Sequence, residues 1–159
     1  MKASEVPLLV RREIEAAVLG QVYQTLKEQL GPDRALSLLT QAVESAARQA
    51  GAAFAAEAPG GRPNLKHFAT IWQRLTAAPG SLEIKDSQVQ GGQMTLTVTH
   101  CGYLELYRNM GLPAELGPVL SCARDFAFAQ GYSPHLSLER PISIGQGQDS
   151  CSFRYTWRD

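Results

Sequence analysis

Apolar positions in the first third of the chain recur at three- and four-residue steps. Leu8, Leu9, Ile14, Val18, Leu19, Val22, Tyr23, Leu26 and Leu30 predict an amphipathic helix from Ser4 to about Leu30. Gly31 stops it, with Pro32 behind. Asp33 offers an N-cap for a second helix whose stripe is Leu36, Leu39, Val43 and Ala47. That helix is alanine-rich to about Ala58, a composition that suits close helix–helix contact. The run Pro59-Gly60-Gly61-Arg62-Pro63 then breaks the chain. Asn64 is placed to cap a third helix, Leu65 to Leu75, with Phe68, Ile71, Trp72 and Leu75 on one face, ended by Pro79-Gly80.

Beyond Gly80 the period changes from helical to alternating. Leu82, Ile84 and Val89 mark one strand. Met94, Leu96 and Val98, alternating with Gln93, Thr95, Thr97 and Thr99, mark a second. Gly91-Gly92 between them is a hairpin turn. Tyr103 to Asn109 reads as a short helix closed by Gly111 and Pro113, and Glu115 to Gln130 as a longer one stopped at Gly131. Leu136 to Ile144 and Cys151 to Trp157 read as strands joined by the turn Gly145-Gln146-Gly147-Gln148-Asp149. The predicted fold is α+β in a single domain. Residues 1–79 form a helical scaffold, and residues 80–159 a ββααββ half with a mainly antiparallel sheet.

Charge narrows the partners. Fifteen basic residues balance fifteen acidic ones, so no basic face argues for nucleic acid. The run Pro7-Leu8-Leu9-Val10 is too short for a signal-peptide core or a membrane span, which predicts a cytoplasmic protein with no membrane partner. The alanine-rich second helix can pack against a twin as readily as within one chain, so a homodimer is allowed.

The chemistry-bearing residues gather in the second half. All three cysteines, Cys101, Cys122 and Cys151, lie between Thr95 and Tyr155, without a C-x-x-C pair, which argues against a disulfide scaffold. Cys101 closes a strand ahead of Gly102; Cys122 and Asp125, three apart, share a helix face; Cys151 opens the last strand. Each thiol alone reads most simply as a small buried apolar side chain, and Glu139 beside Arg140 as a surface ion pair. His100 and Cys101, adjacent on a strand, point to opposite faces. Taken together the residues fit two chemistries. One cysteine is a nucleophile with Asp125 or Glu139 managing protons, or the three thiols and Glu139 complete a tetrahedral zinc shell.

Several short motifs occur in order: T-x-C-x-Y around Cys101, G-L-P-x-E-L-G-P from Gly111, C-x-x-D-x-A at Cys122 and Asp125. G-Y-S-P from Gly131, L-E-R at Leu138 to Arg140 and G-Q-x-x-C-x-F-R-Y from Gly147 follow. In these the chain resembles the L-2-amino-thiazoline-4-carboxylic acid hydrolases, with G-P-D-R-A-L from Gly31 fitting the family's helical scaffold. The resemblance implies ring opening of a cyclic isothiourea, 2-aminothiazoline-4-carboxylate, to N-carbamoyl-L-cysteine, with a small-molecule substrate and no cofactor. On that implication Cys101 is the first choice of nucleophile and Cys151 the second, with Cys122 as third thiol. Asp125 would hold the amidine and Glu139 activate water. Arg108, Arg124 or Arg140 would meet the substrate carboxylate, and Tyr103, Tyr107, Phe126 and Tyr132 would line the pocket. A fainter likeness is to the vinyl-reductase-type domain of phenol-sensing bacterial activators, an α+β small-molecule-binding fold that holds zinc. There Cys122, Glu139 and Cys151 would correspond to ligands. Ile142 stands where another cysteine is expected, so Cys101 or Asp125 would have to substitute. This second likeness implies a non-catalytic sensor or zinc-stabilised module. A further alternative is an enzyme of the same fold acting on a different heterocycle in a biosynthetic pathway.

Overall fold

The computed structural model describes residues 5–158, so Ser4, the expected start of the first helix, lies outside the described residues. Helix α1 (Leu8–Leu30) and helix α2 (Pro32–Ala56) are separated by Gly31 alone. Gly31 takes φ 82°, a left-handed conformation that permits the abrupt reversal, and its N–H closes onto Lys27. Pro32 supplies the first helical residue of α2, where its missing N–H costs nothing. Asp33, expected as the N-cap, therefore sits inside the first turn.

The predicted stripe of α1 divides between two faces. Leu8, Leu9, Ala16, Leu19, Tyr23 and Leu26 pack inward, whereas Val10, Ile14, Val18 and Val22 stay exposed on the other side.

The expected third helix breaks in two, α3 (Leu65–Ala69) and α4 (Ile71–Leu75). Asn64 caps α3 as expected, its side chain accepting from His67 N at 2.9 Å. The break falls at Thr70, whose hydroxyl donates to the His67 carbonyl at 2.7 Å. That back-bond is the one by which threonine competes with a helix's own ladder.

Strands β1 (Leu82–Gln90), β2 (Gln93–Cys101), β3 (Leu136–Glu139) and β4 (Cys151–Trp157) form one antiparallel sheet in the order β1-β2-β4-β3. Gly91 and Gly92 both have positive φ, the requirement of a two-residue hairpin turn. One face of the sheet presents Met94, Leu96, Val98, Cys151, Phe153 and Tyr155 to a core shared with Phe54, Phe68, Trp72 and Tyr132. A second core joins α1 and α2 to helix α5 (Gly102–Asn109) through Ala16, Tyr23, Leu39, Tyr103 and Tyr107.

Two boundaries differ from the expected ones. The strand predicted to reach Ile144 stops at Glu139, because Pro141 cannot donate to a ladder; the chain folds instead into a short turn, Ile144–Gln146. The long helix begins as a wide π-type turn, Pro118–Cys122, and continues as α6 (Ala123–Tyr132), running through Gly131 rather than ending there. Gly131 is there because α2 and α6 cross closely. A β-carbon on it would come within 2.0 Å of the Arg48 carbonyl oxygen, and one on Gly51 within 2.2 Å of the Phe128 carbonyl oxygen.

Candidate functional site

Ending β3 at Pro141 brings the following loop back over the start of α6 and the start of β4. Ser143, only 2% exposed, lies at the centre of that overlap. Its backbone N–H donates to Gln148 Oε1 at 2.8 Å and its hydroxyl accepts from Gly145 N at 3.2 Å, so a local hydroxyl-to-backbone turn fixes the side chain. The Ser143 Oγ stands 4.0 Å from the Cys122 sulfur and 3.8 Å from the Cys151 sulfur. Cys151 Sγ also accepts from Ile144 N at 3.2 Å. Two of the three thiols therefore converge, bridged by a serine the sequence reading did not single out. The signal for it was modest: a serine two residues before a glycine in a turn.

Cys122 is buried, which pushes its thiol up to about 11, with Asp125 adding to the shift and Arg140 opposing it. Cys101 is half-buried and touches the second core. Burial raises its pKa; the Leu104 and Tyr103 N–H groups at the start of α5 pull the other way, and the Asp125 and Cys151 charges reinforce the rise. Burial is the largest of these influences, so desolvation wins. All three thiols thus lie in one electrostatic neighbourhood, with Cys101 the most accessible of them.

Asp125, on the first turn of α6, is raised to about 6 by burial, against the lowering influence of Arg140. Its side chain keeps 31% of its surface, yet its carboxyl is crowded by protein atoms; the crowding sets the direction. Arg140 closes an ion pair onto Asp125 and donates to the Cys122 carbonyl at 3.3 Å. Its guanidinium lies 5.0 Å from the Phe126 ring and 5.5 Å from the Phe153 ring. Arg140 Nε is buried and has no partner among the described residues.

The other residues singled out in the sequence are placed elsewhere. Glu139 pairs with Arg154 at 3.2 Å across the β3–β4 ladder, both exposed. Arg154 has the opposite parity to Cys151 on β4, so Glu139 stands on the outer face of the sheet, away from the thiols. Tyr132 clamps α6 to the α3 cap, accepting from Asn64 N and donating to Asn64 O, with His67 Nδ1 at 2.9 Å. Arg124 ties α6 to α1 through Glu15 at 3.0 Å and donates to the Leu120 carbonyl. Tyr103 is buried with its hydroxyl unpartnered among the described residues. Tyr107 is pushed up to about 12 by burial. Arg108 is exposed, and His100 faces Glu105 at 3.5 Å rather than the thiol beside it.

The residues do not fit a zinc shell of the expected composition. Glu139 is on the wrong face, and among the described residues no three His, Cys, Asp or Glu side chains converge on a metal position. Among the described residues no helix is long and apolar enough to cross a membrane.

The family model described as L-2-amino-thiazoline-4-carboxylic acid hydrolase matches residues 11–155, a span that includes all three cysteines, Asp125 and Arg140. No curated protein sequence matches the chain. Among solved structures it is similar to trafficking protein particle complex subunit 3 from Naegleria fowleri, covalently bound to palmitic acid. The identity is 12% and the TM-score 0.53, over 94% of this chain and 96% of that one. It is also similar to the phenol-responsive sensory domain of the transcription activator PoxR with phenol, at 11% identity and TM-score 0.49, over 89% of this chain and 74% of that one. At 12% identity the first likeness establishes the α+β fold alone.

Proposed function

The chain belongs to the L-2-amino-thiazoline-4-carboxylic acid hydrolase family, and from that premise we propose that it opens the ring of 2-aminothiazoline-4-carboxylate to N-carbamoyl-L-cysteine. The observation that carries the reading is the placement of Asp125. A carboxyl raised to about 6 lies in electrostatic contact with Cys101 and Cys122, and is clasped by an arginine whose Nε has no partner among the described residues.

In the proposed reaction Cys101 gives its proton to the Asp125 carboxylate and its sulfur attacks the amidine carbon between the ring sulfur and nitrogen. The carbon–sulfur bond of the ring breaks, and the departing ring sulfur takes up a proton. The substrate is left as an isothiourea on the Cys101 sulfur. Water then adds to the same carbon, the enzyme thiolate leaves and is reprotonated, and loss of the remaining proton gives the carbamoyl group. One water is consumed overall. A carboxyl near pKa 6 suits this exchange, because it is mostly ionised at neutral pH and still within reach of protonation. Glu139, on the outer face, takes no part, so Asp125 also serves the water.

One observation favours a second reading as a binding module without turnover. Burial raises the Cys101 and Cys122 thiols, and a protonated buried thiol is a poor nucleophile. The same fold carries a covalently bound fatty acid in the Naegleria fowleri protein. Incubating purified protein with 2-aminothiazoline-4-carboxylate, and following N-carbamoylcysteine by mass spectrometry beside a Cys101→Ser variant, separates the two. Product from wild type and none from a folded variant supports the hydrolase. Saturable binding without product supports the module.

A further inference from the structure

We infer that the junction of α1, α5 and α6 holds a carboxylate-binding subsite beside Cys101, built from Arg11, Arg12, Arg124 and the hydroxyl of Tyr103. This deepens the hydrolase reading, and rests on it only for the identity of the carboxylate, that of the thiazoline ring. Arg12 and Arg124 share one acidic partner: Arg12 reaches Glu15 at 2.5 Å and Arg124 reaches the same oxygen at 3.0 Å. The two guanidinium groups are largely buried, with 20% and 16% of their side chains exposed. Arg11 is half-buried, and its Nε is covered and has no partner among the described residues. Two cations thus share one carboxylate in a partly desolvated place, where like-charge repulsion is felt, and the Arg11 charge reaches Tyr103 from the same helix.

Tyr103 provides the second, independent observation. It is 7% exposed, and its hydroxyl is fully covered with no hydrogen-bond partner among the described residues. That hydroxyl lies within electrostatic reach of Arg12, Arg11 and the Cys101 sulfur. A buried hydroxyl left without a partner costs about 1–3 kcal/mol. A small carboxylate removes both defects at once. It accepts from the tyrosine and from the arginine fork, and it balances the surplus positive charge. Burial and the like charge of Arg12 lower the Arg124 pKa, in keeping with a surplus that a bound anion relieves. Cys101 sits two residues before Tyr103 at the start of α5, so an anion held there leaves the rest of a small substrate at the thiol.

The test is a pair of alkylating probes that differ only in charge, iodoacetate and iodoacetamide. In each, the Cys101 sulfur displaces iodide from a methylene carbon to form a thioether. An ordinary thiolate reacts faster with the neutral amide. Because both reactions draw on the same thiolate, their rate ratio at the Cys101 peptide, followed by mass spectrometry, is independent of the thiol pKa and of general accessibility. In wild-type protein iodoacetate is expected to react faster than iodoacetamide. Tyr103→Phe and Arg11→Gln are expected to lower that ratio by roughly tenfold or more, as loss of a hydrogen bond to a charged group does. Tyr103→Phe removes a hydroxyl that has no partner among the described residues, so its thermal stability should not fall, whereas a structural hydroxyl would show a loss. Iodoacetate reacting no faster than iodoacetamide, or not at all, overturns the subsite. Turnover of the thiazoline without any iodoacetate preference overturns it too and leaves the hydrolase standing. Iodoacetate preference without turnover supports the subsite and removes the hydrolase.

Discussion

Arg140 closes an ion pair onto Asp125 and holds down a carboxyl that burial raises. Burial pushes the Asp125 carboxyl up to about 6 even with the guanidinium beside it pulling the other way. If Asp125 is the base that takes the Cys101 proton, kcat/KM should rise through an apparent pKa of about 6 in the wild-type protein. Arg140→Gln removes the lowering influence, so the limb should move to higher pH, by a unit or more. A pH profile of both proteins checks this. A limb that stays fixed or moves to lower pH would show that Asp125 is not the titrating group.

The same shift has a consequence for stability. The folded-state pKa of Asp125 lies above its unfolded value near 3.8, so the folded state holds its proton more tightly. That contribution to stability is fully present below the unfolded pKa and is lost as pH rises through about 6. Urea midpoints of wild type minus Asp125→Asn should therefore decrease between about pH 4 and pH 6 and flatten above. A difference that grows with pH over that window would contradict the assignment.

Much of this molecule was legible in the chain, and the parts that were not share a cause. Gly91-Gly92, Asn64 and the alternation of Met94, Leu96 and Val98 report on their own neighbours, and each does what its local chemistry predicts. Ser143 could not be found that way, because its burial depends on Pro141 ending a strand early and folding the loop onto two thiols distant in sequence. The placement of Glu139 turns on strand parity, which cannot be assigned until the covered face of the sheet is known. The faces of α1 were hidden similarly, since both Tyr23 and Val22 are apolar and only packing tells them apart. Arg11 and Arg12 lie 90 and 89 residues before Cys101 and carry no signal beyond ordinary helix charges.

Glu139→Gln provides a sharp separation between sequence and structure. As a water-activating base, its loss would cost orders of magnitude in kcat. On the outer face, paired with Arg154 with both side chains more than half exposed, it should cost nothing measurable in turnover. Its effect on stability should stay within about 0.5 kcal/mol. Steady-state kinetics and a thermal melt of this one variant decide it. A large fall in kcat would return Glu139 to the site.

Ser143→Ala removes the hydroxyl between two sulfurs and leaves Gly145 N–H without its acceptor. A part-buried donor left unpaired costs less than the about 1–3 kcal/mol of a fully buried one, and the loop from Pro141 to Ser150 should loosen as a unit. Amide hydrogen exchange would then speed up at Gly145 and Gln146 while the β2–β4 ladder stays protected. Faster exchange across the whole sheet would mean that Ser143 supports the core rather than the loop.

Gly51 and Gly131 set the depth at which α6 sits on α2, and through α6 the position of Cys122 and Asp125. A methyl group on either would press on the backbone of the facing helix, where no rotamer can relieve it. Ala is otherwise the better helix former by roughly 0.8–1 kcal/mol, so helix propensity alone predicts that both substitutions stabilise. Overpacking costs about 1–3 kcal/mol or more when backbone must move, and at approaches of 2.0 and 2.2 Å it should outweigh that gain. Gly51→Ala and Gly131→Ala are therefore each expected to lower the urea midpoint. The double variant should cost less than the sum, because the first methyl already forces the helices apart. A separated pair would also carry Asp125 away from Arg140, so the pH limb near 6 should shift upward with the loss of stability. Stabilisation by either alanine would show that the crossing is looser than these approaches require.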